Sequence, residues 1–193
     1  GEIVALTVLV GAGRTETARL IFGADQPESG AIFLENRKLS IRSPRDAIRE
    51  GICLLTEDRK AQGLVLGQSV RENFALPNLD HFSKATFVNQ REERKAFQNY
   101  VESLKIKVSH QDQLARNLSG GNQQKVVLAK WLESNSELII FDEPTRGIDV
   151  GAKYEIYLLM NRLAEQGKVI LMITSELPEA LGMADRILVM HEG

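Results

Sequence analysis

Apolar, β-branched runs alternate along this chain with segments whose apolar positions recur every three or four residues. Ile3 to Val10 is almost continuously apolar, the mark of a strand buried on both faces of a parallel sheet. Gly11-Ala12-Gly13 breaks that run, and Thr15 to Phe22 reads as a helix stopped by Gly23. Strand-like runs follow at Ala31–Leu34 and Ile52–Leu55. From Ser69 to Leu114 the chain becomes charged and helix-prone, with no convincing strand. The run Arg91-Glu92-Glu93-Arg94-Lys95 at its heart reads as a solvated helix face. Gln123 to Trp131 has helical rhythm, with Trp131 on the apolar side. Then come a strand at Glu137–Phe141, a helix at Gly151–Gln166, a strand at Val169–Thr174, a short helix near Leu177–Gly182 and a strand at Arg186–Met190.

Strands alternating with helices predict an α/β fold around a parallel sheet. The helical stretch in the middle reads as an inserted subdomain. The expected division is a core of residues 1–57 and 135–193 with a helical subdomain at 58–134. The chain shows no internal repeat and no low-complexity tract.

Composition narrows the possibilities. With 193 residues, 43% of them hydrophobic, there is enough for one buried core and a small satellite. Net charge is −2 with acids and bases interspersed, which argues against nucleic acid as a partner. The single Cys53 has no disulfide partner and lies in an apolar run, pointing to a reducing, cytosolic setting. No apolar stretch nears the roughly 20 residues that span a bilayer, so a membrane role is expected to come through a partner. His81, His110 and His191 share no metal-ligand spacing and read as surface or loop residues. The abrupt ends, Gly1-Glu2-Ile3 and His191-Glu192-Gly193, are those expected of a piece of a longer chain.

Three segments carry candidate chemistry. Asn117-Leu118-Ser119-Gly120-Gly121-Asn122-Gln123-Gln124 is a glycine-centred polar turn opening into a helix, whose N–H groups and positive end can meet an anion. Leu138-Ile139-Ile140-Phe141-Asp142-Glu143 is an apolar strand ending in two carboxylates, where a metal ion and a water are handled in phosphate chemistry. Taken alone, that acidic pair also reads as a helix cap or solvated turn. Val8 to Thr15, V-L-V-G-A-G-R-T, is a loosened version of the phosphate-cradling loop G-x-x-x-x-G-K-[ST]. Val8 stands where a glycine would free the backbone, Arg14 where a lysine would reach phosphate, and Thr15 keeps the hydroxyl that magnesium needs. By itself this loop reads equally well as a plain strand-to-helix turn.

L-S-G-G-N-Q-Q resembles the signature motif of ATP-binding cassette (ABC) transporters, and I-I-F-D-E-P-T resembles their Walker B strand. The full set V-G-A-G-R-T-E, T-E-D-R-K, L-S-G-G-N-Q-Q-K, D-E-P-T-R-G-I-D-V-G-A-K and S-E-L-P-E is similar to the second ATP-binding half of bacterial monosaccharide importers. Those are of the ribose, xylose, galactose and arabinose type, and carry two cassettes in one polypeptide. The resemblance spans the whole chain.

That resemblance implies a RecA-like P-loop core with ATP and Mg2+ as cofactors. Gly11, Ala12, Gly13, Arg14, Thr15 and Glu16 would form the phosphate loop, Thr15 and Asp142 would hold Mg2+, and Glu143 would polarise the attacking water. Ser119, Gly120, Gly121 and Gln123 would face the ATP of a partner cassette, and Asp149 would sit in the D-loop. Glu57 replaces the family's usual γ-phosphate-sensing glutamine, an anion facing anions, and Ser175 replaces its histidine. With Arg14 for lysine as well, hydrolysis at this chain's own site is expected to be slow or absent.

The implied partners are the first cassette of the same polypeptide or a second copy, transmembrane permease subunits, and indirectly a periplasmic or lipid-anchored sugar-binding protein. The implied location is peripheral, on the cytoplasmic face of the membrane. Val65, Leu66, Val70 and Phe74, beside Arg71 and Glu72, are the expected permease-docking anchors. Two other classes remain open here: a non-transport ABC ATPase of DNA repair or translation, and a non-hydrolysing regulatory nucleotide-binding module.

Overall fold

The computed structural model describes residues 1–7, 13–84 and 86–191. In chain order its elements are β1 (Glu2–Thr7), α1 (Arg14–Ile21), β2 (Ile32–Leu34), β3 (Arg37–Leu39), α2 (Pro44–Arg49), β4 (Ile52–Leu55), α3 (Val70–Ala75), α4 (Leu79–Phe82), β5 (Ser83–Lys84), β6 (Phe87–Val88), α5 (Gln90–Ser103), α6 (Gly120–Glu133), β7 (Leu138–Asp142), α7 (Val150–Glu165), β8 (Val169–Thr174), α8 (Leu177–Met183) and β9 (Arg186–Val189). They form two compact units. One comprises Gly1–Glu57, Ser136–Arg146 and Val150–Gly193, the other Asp58–Asn135 and Gly147–Asp149.

The first unit is built on a parallel sheet in the order β4-β7-β8-β1-β9. Its inner strands are buried on both faces, which is why they read as unbroken apolar runs: Ile139, Ile140, Phe141, Ile170, Met172 and Ile173 are all 0–1% exposed. Cys53 is fully buried in β4 opposite Ile139. Helix α7 buries Ile156, Met160 and Leu163, a single face at helical spacing. Asp142 closes β7 opposite Ile173, at the carboxyl end of the sheet where α/β folds place their chemistry.

Two short elements of this unit went unread in the sequence. β2 pairs antiparallel with β3 through a turn in which Glu35 and Asn36 adopt φ of 48° and 64°. The charged Arg37 and Lys38 hide β3 from an apolar pattern. Helix α2 is announced by its Ser43 cap, which accepts from the Asp46 N–H, and by Pro44. The expected strand Ile3–Val10 is seen as β1, with Val8, Leu9, Val10, Gly11 and Ala12 outside the described residues.

In the second unit an aromatic cluster forms the core: Phe74 lies 5.2 Å from Phe97, 5.4 Å from Tyr100 and 5.8 Å from Phe82, ring to ring. Val126, Val127, Leu128 and Trp131 of α6 are buried as well. Three sequence expectations change here. Val70 and Phe74 are core residues, both 0% exposed, not docking anchors: four apart on α3, they share the inward face that the Ser69–Glu72 capping box orients. Glu93 is 3% exposed rather than solvated, because Arg71 pairs with it at 2.9 Å. Ser83–Lys84 and Phe87–Val88 form a small hairpin in a stretch read as strandless, their polar and exposed residues giving no alternating pattern.

Candidate functional site

Helix α1 begins at Arg14 behind Gly13, whose φ of +85° a side-chain-bearing residue adopts only under strain. This start brings Thr15 against the end of β7, where its hydroxyl donates to Asp142 Oδ1 at 3.2 Å. Glu143 follows with φ of +48°, a strained conformation for a non-glycine residue, held by its N–H donating to the Ile173 carbonyl at 2.9 Å. Arg14 Nη2 lies 3.5 Å from Glu143 Oε1, with both side chains about nine-tenths buried. Ser175, just past β8, donates to Glu143 Oε2 at 3.2 Å. Glu16 is exposed on the first turn of α1. Glu57 is ion-paired with Arg146, so its charge is answered by a cation that the sequence reading, which saw it facing only anions, overlooked.

Burial pushes the Asp142 carboxyl up to about 6; the Thr15 hydrogen bond and Arg14 oppose this, while Glu57 and Glu143 add to it. Burial also raises Glu143, against the Ser175 hydrogen bond and Arg14. Three carboxylates crowd one end of the sheet, and the buried Arg14 keeps Nη1 without a partner among the described residues. A magnesium ion fits this donor set: Thr15 and Asp142 supply hard oxygens 3.2 Å apart, and a divalent cation would relieve the charge that raises Asp142. Among the described residues no trio of His, Cys, Asp or Glu could hold a metal alone. Thr15 and Asp142 would therefore bind it together with phosphate oxygens.

The second unit holds the other candidate segment. Ser119 is the exposed N-cap of α6 and accepts from Asn122 Nδ2 at 2.9 Å. The helix starts at Gly120, three residues before the sequence suggested, so both glycines lie in its first turn, where N–H groups have no helical acceptor. A Cβ on Gly120 would come within 2.5 Å of Arg59 Nη2. Gly120 and Gln123 line a cavity of about 380 Å³ with Arg59, Lys60, Leu66, Arg116, Leu118 and Gly147. Gln123 is only 3% exposed and spends its amide N–H on the Ala115 carbonyl at 3.1 Å. Asn122, half-buried beside Ser119, is engaged at both ends of its amide: Nδ2 donates to Ser119 Oγ and Oδ1 accepts from the Lys107 N–H at 2.8 Å. Asp149 is exposed in the same unit.

Sequence reasoning gave no role to Arg116, to Arg59 and Arg146 within the quoted segments T-E-D-R-K and D-E-P-T-R-G-I-D, or to the buried Glu179 that ends S-E-L-P-E. The last had a signal: Thr145 and Thr174 close or follow apolar strands, and buried hydroxyls need partners.

A five-stranded parallel sheet with Thr15, Asp142 and Glu143 at its carboxyl end, in a chain that also carries a glycine-started signature helix, defines an ABC ATPase fold. The ABC transporter family profile matches residues 1–146, and the chain belongs to that family. It is 53% identical over its full length to the ribose import ATP-binding protein RbsA of Bacillus licheniformis, covering 39% of that protein. It is 56% identical to the xylose import ATP-binding protein XylG of Thermoanaerobacter pseudethanolicus, covering 38% of it. The chain thus spans less than two-fifths of these relatives. Among solved structures, the dimeric MJ0796 bacterial ABC transporter cassette superposes with a TM-score of 0.84 at 24% identity, covering 100% of this chain and 82% of that one. For cbiO1 of Clostridium perfringens the TM-score is 0.78 at 26% identity, with 100% and 74% covered. Among the described residues no helix is long and apolar enough to cross a membrane.

Proposed function

We propose that this chain is one ATP-binding half of a bacterial monosaccharide ABC importer, and that it serves chiefly by offering its signature segment to the nucleotide of a partner cassette. The partner would be a first cassette in the same polypeptide or a second copy. Permease subunits would couple the pair to sugar uptake at the cytoplasmic face of the membrane, with a sugar-binding protein feeding them. Support for the substrate class comes from the ribose and xylose import proteins that this chain resembles along its length.

The observation that carries the asymmetric reading is the Arg14–Glu143 pair. A general base for water must be unencumbered, and a phosphate-binding cation must reach outward; here each is turned toward the other. In this chain's own site Thr15 and Asp142 would bind magnesium, which when present supplies charge neutralisation between phosphate oxygens. Glu143, raised by burial, would orient water, and Ser175 would position Glu143 through its hydroxyl. In the other unit, Ser119 and the first-turn N–H groups of α6 would face the partner's terminal phosphate. ATP turnover of the full-length protein tests this reading. Glu143→Gln should change it little, whereas the matching change in the partner cassette should remove most of it, leaving only this site's slow residual turnover. A near-complete loss on Glu143→Gln would show that this site fires, and would overturn the proposed division of labour.

A further inference from the structure

Glu179 is a buried carboxylate, 6% exposed, that none of the steps above uses. It lies in α8 and is met from three directions. Tyr157 of α7 donates to its Oε1 at 2.5 Å, and Thr174 at the end of β8 donates to its Oε2 at 2.6 Å. The hydroxyl of Thr145, in the turn after β7, also donates to Oε1, and Lys153 Nζ stands 3.6 Å away. Thr145 and Thr174 are themselves 2% and 0% exposed. Three hydroxyl donors on one carboxylate favour its ionised form, which offers only acceptors to them. In keeping with this, burial pushes the Glu179 carboxyl up, yet the hydrogen bonds from Thr145, Thr174 and Tyr157 hold it below its ordinary value.

The two threonines mark what is being tied together. Thr145 comes two residues after Glu143, in the turn that holds Glu143 at positive φ. Thr174 directly precedes Ser175, whose hydroxyl reaches Glu143 Oε2, and also accepts from the Glu176 N–H at 3.0 Å. One carboxylate therefore bridges the turn that carries the base and the strand end that carries its hydroxyl partner. A non-glycine residue at φ of +48° persists only where its surroundings over-determine it, and this bridge is a buried, charged determinant.

We propose that Glu179 is a positioning residue for phosphoryl-transfer chemistry in this unit, clamping the Thr145 turn to the Thr174 strand end so that Glu143 and Ser175 meet in register. The proposal rests on the reading of Glu143 as the water-orienting base, but its structural half can be judged separately. Removing the clamp would misplace Glu143 without touching the groups that bind nucleotide. The loss should therefore fall on kcat, with KM for ATP little changed.

The experiment uses the full-length protein assembled with its permease. It compares Glu179→Ala, the near-isosteric Glu179→Gln and the double variant Thr145→Val/Thr174→Val. Hydrogen exchange is measured first. Both amides reported on by the clamp, Glu143 and Glu176, should exchange about 10-fold faster or more in Glu179→Ala, while β4 and β7 keep their protection. If Glu179→Ala does not fold, Glu179→Gln and the threonine double variant, which preserve shape, give the same readout. Unchanged exchange at both amides would overturn the clamp whether or not the site turns over.

Turnover is measured second, in a background where the partner cassette is disabled. There the expected result is a fall in kcat of about 100-fold for Glu179→Ala with KM within about 3-fold. Glu143→Gln/Glu179→Ala should then be no slower than Glu143→Gln alone, because the two residues act as one unit. Additive losses, or a rise in KM alone, would reduce Glu179 to a packing residue and sink the proposal. If Glu143→Gln has no effect on the residual turnover left when the partner cassette is disabled, the reading of Glu143 fails and the exchange result alone decides the clamp.

Discussion

The two candidate segments of this protein handle charge in opposite ways. At the carboxyl end of the parallel sheet, Glu57 and Glu143 stand close enough to Asp142 to help raise it, and the cations beside them, Arg14 and Arg146, are paired with Glu143 and Glu57. Around Ser119 and Gly120 the ionised groups lining the cavity are Arg59, Lys60 and Arg116, all cations, beside N–H groups with no helical acceptor. The first region is acidic and largely neutralised from within. The second is basic and presents itself outward. A nucleotide carries several negative charges, so the second region gains more from meeting one, while the first needs a divalent cation before it can. This contrast supports assigning the chain a donor's part in a shared site.

The largest effect should come from disturbing the outward-facing region. Ser119→Arg in the full-length protein places a long side chain on the open side of the α6 cap and removes its hydroxyl. ATP turnover and sugar uptake should both fall on the order of 10³-fold or more, as when a preorganised phosphate-facing donor is lost. Uptake that survives this change would show that the signature segment faces no nucleotide, and the contrast would lose its functional meaning.

The acidic region can be sharpened through its own electrostatics. Folded Asp142 holds its proton more tightly than the unfolded chain does, so the folded state takes up a proton as pH falls from about 6 toward 3.8. This group therefore adds stability as pH drops through 6 and withholds it above. The rise to about 6 corresponds to about 3 kcal/mol at full effect. Asp142→Asn should accordingly stabilise the nucleotide-free protein at pH 7.5 by up to about 3 kcal/mol, with the advantage vanishing near pH 4. Mg2+ with ATP should stabilise the native protein and leave the variant unmoved. Denaturant titrations at the two pH values decide it, and a variant less stable at both would mean that burial is not what raises Asp142.

Much of the architecture was legible because burial on both faces of a parallel sheet writes itself as continuous apolar sequence. β4 and β8 were read to the residue from Ile52–Leu55 and Val169–Thr174. What escaped was whatever depends on partners distant in sequence. Glu93 looked solvated until Arg71, 22 residues away, reached it, and Val70 and Phe74 looked available until the aromatic cluster closed over them. The same limit applied at the site. Thr15, Asp142, Glu143 and Ser175 could be placed by motif and do come together, but no motif says that Arg14 turns toward Glu143 or Glu57 toward Arg146. A motif records which residues a loop carries; pairing is settled by what folds in beside them.

The smallest expected effect tests the contrast most directly. Arg14 stands where the proposed phosphate loop would carry a lysine, and in a fast site removing such a cation would cost on the order of 10³-fold or more. Here it is spent on Glu143, so Arg14→Ala in the full-length protein should lower ATP turnover by less than about 10-fold, provided the partner cassette carries the chemistry. The substitution also leaves Glu143 without its cation, which should raise that carboxyl further and weaken folding as pH increases above its titration, because a buried carboxylate then ionises unpaired. Turnover and stability should thus separate: modest loss of the first, measurable loss of the second. Equal, near-complete inactivation by Arg14→Ala and Ser119→Arg, with stability intact, would mean that both sites fire and that the two regions, for all their difference in charge, do the same work.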